Sequence, residues 1–263
     1  MAMAKPGAGI DWLPWLGARA AELQSSVLFL TRLPFPRGKP AGGASLAQAA
    51  WAFPIAGVLV GAAGALLYAL AHRVGVPAWP AAALAVAATM ATTGALHEDA
   101  LADTVDGFGG GQTREQRLDI MRDSRTGAYG VCALALSILL RVSALASLAD
   151  TALVVPALIA AHAGARAVMP AFMLFVPPAR RDGLSFAAGR PPGWSAAAAA
   201  ILGILVIAIC LGPARTAVAA ILLLIVLGLM ARLSLRQIGG QTGDTLGALE
   251  QAGEIVVLLV AVR

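Results

Sequence analysis

Charge is scarce in this chain. Asp, Glu, Lys and Arg supply 13% of its 263 residues, about half the share found in a water-soluble globular domain. That shortage excludes an ordinary soluble fold and leaves the 59% hydrophobic content to be solvated by lipid. Cysteine is scarce too. Cys132 and Cys210 stand in apolar stretches far apart in the chain, so they read as small hydrophobes and not as a disulfide. Residues 1–20 lack an uninterrupted apolar core and a small-residue cleavage site, being broken by Pro6, Asp11, Pro14 and Arg19. No cleavable secretory signal is therefore expected. The net charge of +5 is scattered between apolar runs and forms no single basic patch, which argues against nucleic acid as a partner.

What is present is a series of long apolar runs. A spanning helix needs about 20 such residues, and runs lie near Trp51–Ala71, Ala78–Leu96, Gly130–Ala149, Ala152–Val176, Ser195–Leu211 and Thr216–Leu233. A weaker seventh candidate, Leu246–Val262, contains Glu250 and Glu254. The expectation is an all-α, polytopic transmembrane helix bundle of six to seven spans, one integral membrane domain over residues 1–263. Gly57, Gly61 and Gly64 recur at helical spacing, so one face of the first span is expected to pack closely. Ahead of it, residues 10–33 place Trp12, Trp15, Leu16, Leu23, Val27 and Leu30 around Arg19 and Glu22. That pattern fits an amphipathic interfacial helix, with a further span as the rival reading.

Basic residues set the expected orientation. Lys5, Arg19, Arg32, Arg37 and Lys39 precede the first span, and alternate loops hold Arg114, Arg117, Arg122 and Arg125, then Arg180, Arg181 and Arg190, then Arg232 and Arg236. The opposite loops hold Arg73 and Arg215. The amino terminus and the 97–129, 177–194 and 234–245 segments are thus expected to face the cytoplasm, across the cell inner (plasma) membrane.

Half of the 14 acidic residues fall in one short segment: Glu98, Asp99, Asp103, Asp106, Glu115, Asp119 and Asp123. Asp99, Asp103 and Asp106 are spaced i, i+4, i+7, within about 60° of one helical face. Gly107, Gly109, Gly110 and Gly111 then break the helix, and Thr113 with Gln116 forms a capping-box pattern that starts another. On that second helix Asp119 and Asp123 would be i, i+4 neighbours, and the glycine turn would bring two aspartate rows face to face. Carboxylates gathered in this way repel one another and call for a cation. Oxygen donors without His or Cys select Mg²⁺, with Mn²⁺ as an alternative, and Mg²⁺ commonly completes its shell with substrate phosphate. Phosphoryl or nucleotidyl transfer follows as the expected chemistry. The rival reading is a solvated acidic loop whose carboxylates pair with Arg114, Arg117, Arg122 and Arg125; those arginines are in turn candidates to clamp phosphate.

Other polar residues have two readings each. His97 precedes the acidic stripe and is a candidate general base, although on a continuous helix it points away from Asp99. His72 and His162 have no ligand-spaced neighbour and read as structural. The island Gly239–Thr245 combines glycines suited to close phosphate approach with Gln241, Thr242 and Asp244; an ordinary turn before a helix is the alternative. Arg141, Arg166, Glu250 and Glu254 lie inside apolar runs, where ionisable groups usually face a polar cavity or one another.

These motifs resemble those of the cobalamin synthases, the adenosylcobinamide-GDP ribazoletransferases. The resemblance rests on GALHEDALADTVDG at 94–107 and IMRDSRTGAYG at 120–130. It extends to LTRLP at 30–34, FPIAG at 53–57, DGL at 182–184 and GGQTGDTLGA at 239–248. It implies a Mg²⁺-dependent membrane enzyme that joins α-ribazole, or its 5′-phosphate, to adenosylcobinamide-GDP and releases GMP. By position it marks Asp99, Asp103, Asp106 and Asp123 as metal and phosphate candidates, with Asp119 behind them, and assigns Asp244 to the second motif. Arg122, Arg125, Gln241 and Thr242 are the accompanying substrate-binding candidates, and the lipid bilayer is the other partner; a homo-oligomer stays open. Ala100 stands where the family often has Gly, and Gln251 where it often has Glu. The spacing of Asp103, Asp106, Asp119 and Asp123 is also similar to that of the CDP-alcohol phosphotransferases, whose Ala-Arg pair after the glycine is missing. Two rivals remain at this stage, a CDP-alcohol phosphotransferase and a divalent-cation transporter.

Overall fold

The computed structural model describes residues 12–34 and 45–263. Helix α1 covers Trp12–Leu30, α2 Leu46–Ala49 and, after a 3₁₀ turn, α3 Phe53–Arg73. There follow α4 (Ala78–Thr93), α5 (Leu96–Gly110), α6 (Arg114–Ile120), α7 (Ala128–Leu148) and α8 (Thr151–Phe175). The chain closes with α9 (Gly183–Ala188), α10 (Gly193–Leu211), α11 (Pro213–Ile238) and α12 (Gly243–Val262). Six described stretches are long and apolar enough to cross a membrane: Leu46–Arg73, α7, α8, α10, α11 and α12. α4 and α5 pass the same test only as a pair, bent by 90°. The protein is a multi-pass membrane helix bundle, as the apolar runs predict.

α8 and α12 form its centre. In α12 72% of the most apolar stretch is buried within the protein, against 17% in α11, so the weakest predicted span is a core helix and α11 faces lipid. α3 lies flush on α8 because Gly57 and Gly61 have no side chain; a Cβ at either would collide with the backbone of His162 or Leu158. Gly64 meets Thr89 and Ala85 of α4 in the same way, so the close-packed face is where the spacing places it.

The end of the second predicted span moves. The second span was expected to run from Ala78 to Leu96, but α4 stops at Thr93, where Gly94 (φ 67°) and Ala95 (φ 57°) are left-handed. At 16 residues, about 24 Å of helix, α4 crosses most of the apolar layer before the turn. α5 then leaves at 90° and is not itself a span. It continues through Gly110 and is capped by Gly111, within the glycine run expected to break it.

The polar motifs gather at one end of the bundle. Arg114 of α6 donates to the carbonyls of Ile238 and Ala179, and Arg117 to that of Gln237. An isolated parallel bridge joins Pro178 to Gln241, with Gln241 N 2.8 Å from Pro177 O and Ala179 N 2.8 Å from Gln241 O. At the same end α1 rests on the starts of α3 and α10. Trp51 Nε1 donates to Glu22 at 2.6 Å, Ser26 Oγ to Ala49 O at 2.7 Å, and Arg19 lies 5.1 Å from the Trp194 ring. Trp15, Leu16 and Leu28 stay exposed, as an interfacial helix requires.

Candidate active site at one end of the bundle

α5 has two polar faces. On its outer face Asp99 is exposed, Asp103 half-buried and Asp106 buried. Asp244, at the first turn of α12, approaches the same place; burial and the carboxylates of Asp99, Asp244 and Asp106 push the Asp103 carboxyl up to about 7. Neither Asp119 nor Asp123 contributes to that shift. The convergence joins two motifs 140 residues apart in sequence, and it is made by α5 lying against α12.

Asp106 plays a different part. Its Oδ2 accepts from Gly127 N at 2.7 Å and its Oδ1 from Gly130 N at 2.9 Å. A buried carboxylate thus satisfies free amides at the N-terminus of α7, where the helix dipole also favours negative charge. Glycine at 127 and 130 leaves it room, since a Cβ at either position would strike the carboxylate.

The second predicted aspartate row does not form. The Thr113–Gln116 capping box is present, but α6 ends at Ile120, and Asp123 sits in the turn beyond. Asp123 is gripped by Arg125, Nη2 to Oδ2 at 2.6 Å, and hydrogen bonds from the Arg125 side chain and backbone hold its carboxyl down at about 2. Asp119 is exposed beside Gln112 and Gln116. Helical spacing was the wrong guide here because the helix is too short to hold both residues.

Of the expected phosphate ligands, Arg122 pairs with Asp182 and Arg125 with Asp123, both at the surface. Gln241 is buried, its Oε1 accepting from Ser185, and Thr242 caps α12 in a capping box with Thr245. These two hold the motif together instead of projecting from it. Arg180, which sequence analysis used only for orientation, is better placed. Its Nη2 lies 3.8 Å from Asp244 Oδ2, and its Nη1 is buried without a hydrogen-bond partner.

Behind the acidic mouth is a cavity of about 290 Å³. Phe29, Phe53, Met169, Met173, Leu184 and Leu246 provide apolar walls, and Asp99, Asp244 and Arg180 stand where it opens. His97 lines it as well. Its Nδ1 lies 3.3 Å from Arg166 Nη2 and 3.7 Å from Glu250 Oε2, and its Nε2 is buried and unpartnered.

The inner face of α5 meets a buried ion network whose members stand isolated in the sequence. Arg141 Nη1 lies 2.9 Å from Glu98 Oε1 and 3.4 Å from Glu254 Oε1; Arg166 Nη1 lies 2.5 Å from Glu250 Oε1 and 3.2 Å from His162 Nδ1. Gln251 donates to Glu250 at 3.1 Å and accepts from Ser137 at 3.0 Å. Thus Arg141 and Arg166 serve the glutamates and not the aspartate stripe, and His162 is a member of the network rather than a lone residue. Among the described residues His162, Glu250 and Glu254 place ligand atoms within 4.8 Å of one another. Two guanidiniums already supply the countercharge there, which disfavours a metal ion. Among the described residues the outer stripe has Arg180 as its nearby cation, so its hard oxygen donors are the better fit to Mg²⁺. Both cysteines are free, as expected.

A family model described as cobalamin-5-phosphate synthase matches residues 22–262. The chain is 58% identical over 241 residues to the adenosylcobinamide-GDP ribazoletransferase of Bradyrhizobium diazoefficiens, covering 92% of this chain and 93% of that protein. It is 52% identical over 235 residues to the protein of that name from Mesorhizobium japonicum, covering 89% of this chain and 90% of the relative. With that of Azorhizobium caulinodans it shares 45% over 250 residues, 91% of this chain and 94% of the relative. No solved structure matches the chain.

Proposed function

Since the chain belongs to the cobalamin-5-phosphate synthase family, we propose that it is an adenosylcobinamide-GDP ribazoletransferase. A hydroxyl of α-ribazole, or of its 5′-phosphate, attacks the phosphorus attached to cobinamide. A new O–P bond forms, the P–O bond to GMP breaks, and the hydroxyl proton is released at the acidic mouth. The products are GMP and adenosylcobalamin or its 5′-phosphate.

The observation that supports this reading best is the meeting of Asp99, Asp103 and Asp244, of which Asp99 and Asp244 line a cavity large enough for part of a substrate. Asp99, Asp103 and Asp244 would hold Mg²⁺, with Asp106 fixing the α5–α7 corner beside them. A divalent ion bound there would neutralise the diphosphate and stabilise the departing GMP. Arg180, with a free guanidinium nitrogen, is suited to a phosphate oxygen. The buried network behind α5 keeps the stripe in register. The basic-residue bias supports placing this end at the cytoplasmic face of the inner membrane.

The test is GMP release by purified protein in lipid nanodiscs given adenosylcobinamide-GDP, α-ribazole and Mg²⁺. Release that stops with EDTA and returns with Mg²⁺ is the expected result. No GMP, alongside CMP release from a CDP-alcohol, would sink the reading. The transporter reading gains nothing from the structure: the polar groups within the spans pair with one another.

A further inference from the structure

We propose that α9 is a lid, hinged at Gly183 and Gly189 and latched by the Ser185–Gln241 hydrogen bond, whose opening joins two cavities into one. The need for this movement rests on the ribazole-transfer reading; the hinge, the latch and the partition are features of this chain.

The partition comes first. Gly183, Leu184, Ser185 and Ala188 line the cavity of about 290 Å³ behind the acidic mouth. On the other side of α9, Phe186, Gly189 and Arg190 line a second cavity of about 390 Å³, together with Gln241. The Ser185–Gln241 hydrogen bond therefore runs from a residue of the first cavity to a residue of the second. Either space alone lies near the bottom of the roughly 300–1,000 Å³ range of small-molecule pockets. Joined, they reach the middle of it, as a substrate carrying a nucleotide on a corrinoid requires.

The chain around α9 is built to pivot. Upstream it is pinned by the bridge between Pro178 and Gln241, and downstream Arg190 Nε donates to Leu174 O at 2.8 Å. Between these fixed points both ends of α9 are glycines, at φ 84° and 82°. Gly189, with ψ −179°, occupies backbone space that is essentially glycine's alone. Without a Cβ the chain can leave that space freely, and hinges of this kind absorb the dihedral change of lid motions. Opening uncovers little. Leu184 and Phe186 are exposed already, which leaves Ser185 and Ala188 as the buried side of α9. The movement also reaches the mouth, because Asp182, next to the first hinge, pairs with Arg122 and Arg180.

The test uses the full chain in nanodiscs, with Cys132→Ser and Cys210→Ala as background. Ala188→Cys places a buried thiol on the inner side of α9, and its labelling by a water-soluble maleimide reports opening. Ser185→Ala should speed that labelling about three- to tenfold, the range of one net hydrogen bond. Ala179→Cys, equally buried on the pinned side of the first hinge, should label more slowly and ignore Ser185→Ala. No response at Ala188→Cys, or the same response at both positions, overturns the lid. A second arm asks whether turnover needs the movement. Ser185→Cys with Gln241→Cys, bridged by a short bis-methanethiosulfonate, should release GMP at least about tenfold more slowly than the same protein after reduction, as a gating lid requires. Equal rates before and after reduction also overturn the lid, and because both come from one variant the lost latch cancels. Should the reduced variant release no GMP, labelling alone decides the lid. Absence of GMP release by the wild type as well would overturn the reaction instead.

Discussion

On the inner side of α5, Glu98 lies 2.9 Å from Arg141, and every carboxylate of the network has a guanidinium within reach. On the outer side Asp103 faces Asp99, Asp244 and Asp106, and the cation beside them among the described residues is Arg180, which already leans on Asp182 and Asp244. The same residue chemistry, on two faces of one helix, is closed on one side and left open on the other. Buried charge persists only when it is paired, so the inner side reads as architecture. Neighbouring carboxylates that raise the proton affinity of Asp103 are a standing cost to the fold, and such sites gather where a cation or substrate completes them. The contrast separates structure from function more sharply than burial alone.

The largest effect should come from the open side. Asp103→Asn or Asp99→Asn is expected to lower GMP release by about 10³-fold or more, in line with the several kcal/mol that metal-assisted charge stabilisation contributes. The protein should insert normally and melt no lower than wild type, because like-charge repulsion is removed. Near-normal turnover in either variant, measured at saturating Mg²⁺, would break the comparison.

The closed side should answer in stability. Arg141→Met leaves Glu98 and Glu254 facing each other without their guanidinium, and removing one partner of a buried pair costs about 3–5 kcal/mol. A large fall in the thermal midpoint in detergent is expected. Adding Glu98→Gln to Arg141→Met should recover part of it. An unchanged midpoint would mean that water or an ion already neutralises these glutamates.

The apolar runs placed the spans, because lipid demands about 20 apolar residues whatever the details of packing. The i, i+4, i+7 spacing placed Asp99, Asp103 and Asp106 on one helix, and motif order brought Asp244 to them. The buried network was not legible: Arg141, Arg166 and Glu254 are far apart in sequence, and only the packing of α5, α7, α8 and α12 brings them together. Asp106 shows a subtler gap, since nothing local says that its carboxylate caps α7. The weakness predicted for the last span had the same origin, as its glutamates count against membrane burial until their partners are known.

A smaller effect is a pH dependence on the open side. In the metal-free folded protein Asp103 holds its proton up to about pH 7, whereas the unfolded chain releases it near 4. Between these values the folded state binds more protons, so stability should fall as pH rises and level off above about 7. Thermal midpoints between pH 5 and 8 in EDTA should show this decline. Asp103→Asn should flatten it, and Mg²⁺ should reverse it at pH 8. A midpoint that rises with pH in EDTA would place the strained carboxylate elsewhere.

The smallest effect sharpens the comparison from a third position. Asp123 belongs to the same motif as the open stripe, yet it is treated like the closed side: its carboxylate is already held by Arg125. A carboxylate held near a pKa of about 2 gains nothing from a metal that it would have to leave Arg125 to reach. Asp123→Asn should therefore keep kcat/KM for GMP release within about fivefold of wild type, the span expected of an exposed ion pair, with an unchanged Mg²⁺ requirement. A loss approaching that of Asp103→Asn would mean that the turn after α6 refolds when substrate binds and carries Asp123 to the mouth. The two aspartate rows suggested by the sequence would then describe the working state, and the open side of α5 would be only half of the site.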